Sequence, residues 1–103
     1  MSITTSESSD GKQVTIHVSG RFDFAAHQQF LQAYKKHPRG EKSFVVDLKN
    51  TEYMDSSAMG MLLQLRDYGA KGQDMQLVNS NDGVREILRI ANFDKIFKVN
   101  TTS

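Results

Sequence analysis

Between Gln13 and Phe22 the chain alternates. Val14, Ile16 and Val18 are apolar, and Thr15, His17 and Ser19 between them are polar. A period of two over that length predicts a strand with one buried face. Before it, Ser8-Ser9-Asp10-Gly11 reads as a turn, with Gly11 supplying a backbone angle other residues resist. Ile3 to Thr5 is therefore expected to pair back as a short first strand. The period then changes. Ala26, Phe30, Ala33, Tyr34 and His37 recur at helical spacing, with Asp23 as N-cap and Pro38 and Gly40 as stop signals.

Ser43 to Leu48, "SFVVDL", is a continuous run rich in β-branched residues, which predicts a central strand buried on both faces. After it comes Thr51 to Leu65, "TEYMDSSAMGMLLQL". From Ser57 to about Tyr68 the residues favour a helix, closed by Gly69 or Gly72. "DMQLVN" predicts another strand. "SNDGVREILRIAN" predicts a third helix, with Val84, Ile87, Leu88 and Ala91 on one stripe. "KIFKV" predicts a last edge strand. The order β-β-α-β-α-β-α-β implies an α/β fold. Its mixed central sheet has four to five strands, with three to four helices packed on it and right-handed crossovers. One domain, residues 1–103, fits the length; there is no internal repeat or linker.

Charge narrows the function. There are 13 basic and 12 acidic residues, a formal net charge of +1, and no block of like charge. A nucleic-acid or membrane-surface role normally leaves a basic patch or tail, so neither is expected. With no cysteine there is no disulfide, thiolate nucleophile or cysteine metal site. The first residues, "MSITTSESSDGKQ", lack the positive start and apolar core of a signal peptide, and no apolar stretch approaches a membrane span. A cytoplasmic location is the default expectation.

Candidate chemistry is sparse. His17 falls on the polar side of a strand. His27 and His37 lie ten positions apart without a metal-spaced partner, so all three are expected at surfaces or edges. Gly60, Gly69 and Gly72 match neither common nucleotide pattern, and no serine sits in a nucleophile elbow. No cofactor, metal or catalytic group is expected. Met54, Met59 and Met61 crowd around the second helix. Core filling suits Met61, whereas for Met54 and Met59 a contact surface is an equal alternative. What stands out is Asp55-Ser56-Ser57. Asp and Ser are preferred N-caps. One such residue suffices, and local chemistry does not choose between a cap and a hydroxyl kept for modification or binding.

The wider pattern resembles a known family. "FVVDLKNTEYMDSSAMGMLL" is similar to the signature of bacterial anti-sigma factor antagonists, the single-domain members of the STAS family. That signature is a buried strand ending in Asp-Leu, a short loop, then Met-Asp-Ser-Ser or Met-Asp-Ser-Thr and a helix. "VSGRFDF" resembles the family's Gly-x-Leu-Asp segment, and "GVREILRIANFDKIFKV" its last helix and strand. The resemblance implies a non-enzymatic switch. The unphosphorylated form binds a partner that is both serine kinase and anti-sigma factor, phosphorylation of the first serine after the motif aspartate releases it, and a metal-dependent serine phosphatase reverses the change. Carried over, Ser56 is the phosphoacceptor and Asp23 the acidic residue beside it that contacts the partner; Asp55, Ser57, Met54 and Met59, from their place around Ser56, complete the expected partner-binding surface. Ser57 is the expected helix-start residue. A monomer or weak dimer is implied. Ala58 stands where the family has glycine, and Phe22 where it has leucine. The alternative is a STAS-like subunit that binds a nucleotide, a transporter or a non-sigma regulator, with the serine as a structural cap.

Overall fold

The computed structural model describes residues 2–69, 75–93 and 98–100. Its elements run β1 (Ser2–Glu7), β2 (Gln13–Phe22), a 3-10 turn (Phe24–Ala26), α1 (His27–Lys35), β3 (Ser43–Met54), α2 (Ser56–Tyr68), β4 (Gln76–Val78), α3 (Asp82–Ile90) and β5 (Lys98–Asn100). The five strands lie in one sheet in the order β1-β2-β3-β4-β5. β1 runs antiparallel to β2, and the remaining neighbours are parallel. The expected hairpin, mixed sheet and edge position of the last strand are all present. Gly11 closes the hairpin at φ +72°, in the left-handed region that glycine enters without a Cβ clash. Gly72 and Lys95 to Phe97, which the sequence placed at a helix end and in the last strand, lie outside the described residues.

One core joins sheet and helices. Val14, Ile16 and Val18 of β2, Phe44, Val46 and Leu48 of β3 and Leu77 of β4 meet Phe30 and Tyr34 of α1, Leu62 and Leu65 of α2, and Val84 and Leu88 of α3. Burying each such side chain contributes roughly 1.5–3 kcal/mol. The helical stripe read from the sequence is the one that turns inward, for Ala26, Phe30, Ala33, Tyr34 and His37 are all buried. His37 thus departs from the expected surface position. Its ring lies edge-on to Phe44, 6.4 Å between centroids, and Nε2 stands 4.0 Å from Glu7.

β3 differs from its sequence pattern in two ways. Its second face is apolar only at Val45; at Asp47 it turns polar. There His17 Nδ1 lies 2.9 Å from Asp47 Oδ2, and Asn79 Nδ2 donates to Oδ1 at 3.0 Å. Burial pushes the Asp47 carboxyl up, but the bonds from Asn79, the Lys49 amide and His17 outweigh it and leave the pKa lowered. Second, β3 does not end at Leu48. It continues through the expected loop to Met54, because β2 stays paired with it as far as Phe22↔Met54. The register slips between His17 and Ser19 and again between Gly20 and Arg21. These irregularities break the period of two, so Leu48, Thr51 and Met54, three apart, all face inward.

Candidate functional site

The ends of β2 and β3 are neighbours in the sheet, and their chains leave it side by side. Asp23 follows Phe22, and Asp55 follows Met54; the Asp55 amide donates to the Phe22 carbonyl at 3.3 Å. Both aspartates then do the same local work. Asp23 caps the 3-10 turn by accepting from the Ala25 amide at 3.1 Å. Asp55 caps α2 by accepting from the Ala58 amide at 3.1 Å.

This settles how the three polar residues divide the helix start. The cap is Asp55, not Ser57. Ser57 instead donates its hydroxyl to Asp55 Oδ1 at 2.6 Å and fixes the capping carboxylate. That bond, joined by the Ala58 amide, holds the Asp55 carboxyl below its ordinary range against the opposing push of desolvation. An aspartate wins because a carboxylate accepts more strongly than a hydroxyl and complements the helix dipole. Ser56 occupies the first helical position, is exposed, and among the described residues its hydroxyl has no hydrogen-bond partner.

Around Ser56 the structure sorts the other candidates. Asp23 is on the rim, its carboxylate 3.6 Å from Arg21 Nε. Met59 is half-buried and packs partly on the core. Met54 is 1% exposed, so the contact-surface alternative is corrected to core filling; the inward turn of the irregular strand end leaves it no path to a partner. Met61 is buried as expected, and Ala58 is fully buried beneath the helix start. A methyl group at position 58 is therefore core, which accounts for the departure from glycine.

Sequence reading missed three rim residues. Phe24 is 74% exposed, and its ring stacks on His27 at 6.0 Å. Tyr53 is 40% exposed, and the Arg21 guanidinium lies over its ring at 4.4 Å. Their paired positions, Arg21↔Tyr53, are visible only once the strand register is known. Gly60 is a different case. It is exposed, its φ is not in the positive range, and a Cβ there would meet no described atom within 4 Å. Glycine inside a helix costs about 1 kcal/mol relative to alanine, and the described fold gives no reason for it. Gly69 has one, since a Cβ there would lie 3.3 Å from the Phe44 ring. Among the described residues no group of histidines and acids could hold a metal, and no helix is long and apolar enough to cross a membrane.

A mixed sheet of this strand order with three helices packed on it is the architecture of the STAS class of α/β domain. Comparison with known proteins agrees. The family model described as "Mlab, STAS domain" matches residues 5–99. A STAS-domain containing protein of Pseudomonas aeruginosa (strain UCBPP-PA14) is 48% identical over 101 residues, covering 97% of this chain and 100% of the relative. The chain belongs to the STAS domain family. Among solved structures, a candidate anti-sigma factor antagonist from Thermotoga maritima aligns with TM-score 0.80 at 19% identity, over 97% of this chain and 86% of that one. An anti-sigma factor antagonist from Mycobacterium paratuberculosis aligns with TM-score 0.75 at 22% identity, over 98% and 87%. Unphosphorylated SpoIIAA, an anti-sigma factor antagonist, aligns with TM-score 0.63 at 20% identity, over 86% and 83%. At these identities the structural likeness speaks for the fold.

Proposed function

We propose that this STAS domain is a phosphorylation-controlled protein-binding switch of the anti-sigma factor antagonist type. Its unphosphorylated form binds a serine kinase that is also an anti-sigma factor. Phosphorylation of Ser56 releases that partner, and a metal-dependent serine phosphatase restores binding, all within the bacterial cytoplasm. The observation that carries this reading is the division of labour at the helix start: Asp55 and Ser57 complete the cap between them, and Ser56 is left exposed and unbonded. In the transfer, Ser56 Oγ attacks the terminal phosphorus of a nucleoside triphosphate, the bridging O–P bond breaks, and the hydroxyl proton goes to a base on the kinase. The chain itself is the substrate, in keeping with a family of binding proteins rather than enzymes.

Physics supports release by charge. A phosphate adds about 1.5 to 2 negative charges. At the first helical position it faces the amide ends of α2, so the fold tolerates it. The rim it joins already holds the Asp23 and Asp55 carboxylates. A partner surface fitted to a neutral hydroxyl and to Phe24 and Met59 then meets like charge and a group costly to desolvate. No change of shape is needed.

The matching family model, described as "Mlab, STAS domain", does not mention sigma factors, which leaves room for the second reading, a STAS-like subunit that binds a nucleotide, a transporter or a non-sigma regulator with the serine as a structural cap. The decisive experiment is intact-mass spectrometry of the protein from its native cells with phosphosite mapping, followed by binding of variants to the kinase so identified. Ser56→Ala is expected to bind constitutively and Ser56→Asp poorly. Equal binding by both sinks release by charge, and a phosphate mapped to Ser57 overturns the assignment of the acceptor.

A further inference from the structure

The two edges of the sheet are not alike. β5 spans Lys98–Asn100 and carries a lysine, and a short, charged strand is poorly suited to pairing with another chain. β1 is the opposite case. It runs six residues, Ser2–Glu7, and pairs with β2 without a register shift from Ser2↔Ser19 to Glu7↔Val14. Proline, a bulge or a lysine on the strand commonly blunts an edge, and β1 has none of them. Among the described residues its outer side pairs with no strand. Beside that side runs an open groove between β1 and α1, walled by Ile3, Thr5, Gln32 and Lys36. Ile3 is half-buried and packs on the core, whereas Glu7 and Lys36 are exposed. Lys36 Nζ donates to Thr5 Oγ1 at 3.0 Å, so a positive charge is held at the middle of the strand. The negative charge lies at its end, where Glu7 stands 4.0 Å from His37 Nε2, beyond hydrogen-bond distance.

We propose that the β1 edge is a self-association site, where a second copy of this chain adds its own β1 antiparallel and joins the two sheets into one. Charge selects both occupant and register. A strand pairing with its own copy obeys a two-fold axis, so residue i opposite j requires j opposite i. With the axis at Thr5, Thr5 lies opposite itself, Thr4 opposite Ser6, and Ile3 opposite Glu7 of the second copy. Lys36, anchored on Thr5, is then diagonal to Glu7 of the second copy. Diagonal neighbours lie about 7–8 Å apart at the backbone, within reach of long side chains. The axis repeats the ion pair, so each interface holds two. With the axis at Thr4 instead, Glu7 of the second copy moves two residues further from Lys36 and the pair is lost. Pairing of β1 with β5 of another copy is head-to-tail and is not closed by this two-fold axis. The α1 helix packs on both β1 and α2, so it stands between the edge and Ser56. The dimer therefore keeps both serines open.

The test is sedimentation equilibrium of the full chain with a charge swap. A single short strand pair is a small interface, so the parent should dimerise with a Kd on the order of 10 μM. Glu7→Lys and Lys36→Glu each turn two attractions into two repulsions, and each should weaken the dimer about tenfold. The double variant Glu7→Lys with Lys36→Glu should return to within about threefold of the parent, which also shows that neither change harms the fold. Amide NMR signals of Ile3 to Glu7 should move with protein concentration. A parent that stays monomeric at about 1 mM overturns the proposal. So does a dimer whose concentration-dependent signals lie on α2 or β5 instead of β1. Single variants without effect, or a double variant as weak as the singles, overturn the Thr5-centred pairing. Continued growth past the dimer overturns closure by a two-fold axis.

Discussion

Two helices in this domain begin in nearly the same way. α2 and α3 each follow a strand, and each is capped by an Asx side chain that accepts the amide three residues on: Asp55 from Ala58 at 3.1 Å, Asn81 from Val84 at 2.8 Å. Beyond the cap they diverge. Asn81 has a second bond, from its amide to the Thr51 carbonyl at 2.9 Å, which ties α3 to the buried end of β3. Its first helical residue, Asp82, is 98% exposed in its side chain and pairs with Arg85 at 3.2 Å. Asn81, Asp82 and Arg85 at that start each have a structural task, whereas the hydroxyl of Ser80 just before them is buried and has no hydrogen-bond partner among the described residues. At α2 the second bond of the cap goes to Ser57, one residue from Ser56, and Ser56 has no task in the described fold. The instructive difference is exposure: the spare hydroxyl at α2, on Ser56, is open to a partner, and the one before α3, on Ser80, is buried.

The contrast can be broken by substitution. Asn81→Ala removes a cap and leaves the buried end of β3 without a donor, so it should cost about 2 kcal/mol. Thermal or urea unfolding measures it, and a cost no larger than that of Asp55→Ala would erase the difference between the two starts. Asp55→Ala should cost about 1 kcal/mol, the ordinary worth of a cap. Ser57→Ala should cost roughly 0.5 kcal/mol through loss of one hydrogen bond near the surface, and phosphorylation at Ser56 should survive it. Ser56→Ala should change stability by less than about 0.5 kcal/mol, as surface substitutions do, while abolishing phosphate incorporation in the intact mass. A destabilisation as large as that of Asp55→Ala would make Ser56 part of the cap.

Acid sharpens the same comparison. The Asp55 carboxyl is lowered in the folded state, below the unfolded value of about 3.9. Its stabilisation is therefore present above that value and is lost as pH falls through the folded value. Asn81 carries no ionisable cap. Unfolding measured from pH 5 to pH 2 should show the gap between the parent and Asp55→Asn closing as pH falls. Asp47, also lowered, keeps a residual slope in both proteins. A gap that stays constant would mean that the Asp55 charge adds nothing to the cap.

Much of this was legible in the residues because period and burial agree. Val14, Ile16 and Val18 alternate and are buried; Phe30, Ala33 and Tyr34 recur at helical spacing and are buried. What escaped depends on partners distant in sequence. Nothing in Lys49 to Met54 looks like strand, yet β2 pairs with it, and the slipped register turns Met54 into the core. The cap was misassigned to Ser57 because aspartate and serine are both good caps, and spacing does not say whose oxygen accepts. Phe24 looked like one more helix residue, and its exposure follows from the 3-10 geometry of the turn it sits on. The proposal that Ser56 is a phosphoacceptor rests on family resemblance, and the hydrogen bonds of Ser57 and Asp55 add only a physical reason to prefer the first serine over the second.

The pairing of β2 with β3 has a kinetic consequence. Val14 meets Phe44 and Phe22 meets Met54, so each contact along this ladder closes a loop of about thirty residues. Collapse must hold α1 between the two strands before the ladder can zip. The folding nucleus is therefore expected to comprise β2, α1 and β3. Ile16→Val and Phe30→Leu should slow refolding in stopped-flow chevrons, whereas Ile3→Val on the edge strand should act mainly by speeding unfolding. An unaltered refolding rate for both core variants would move the nucleus elsewhere.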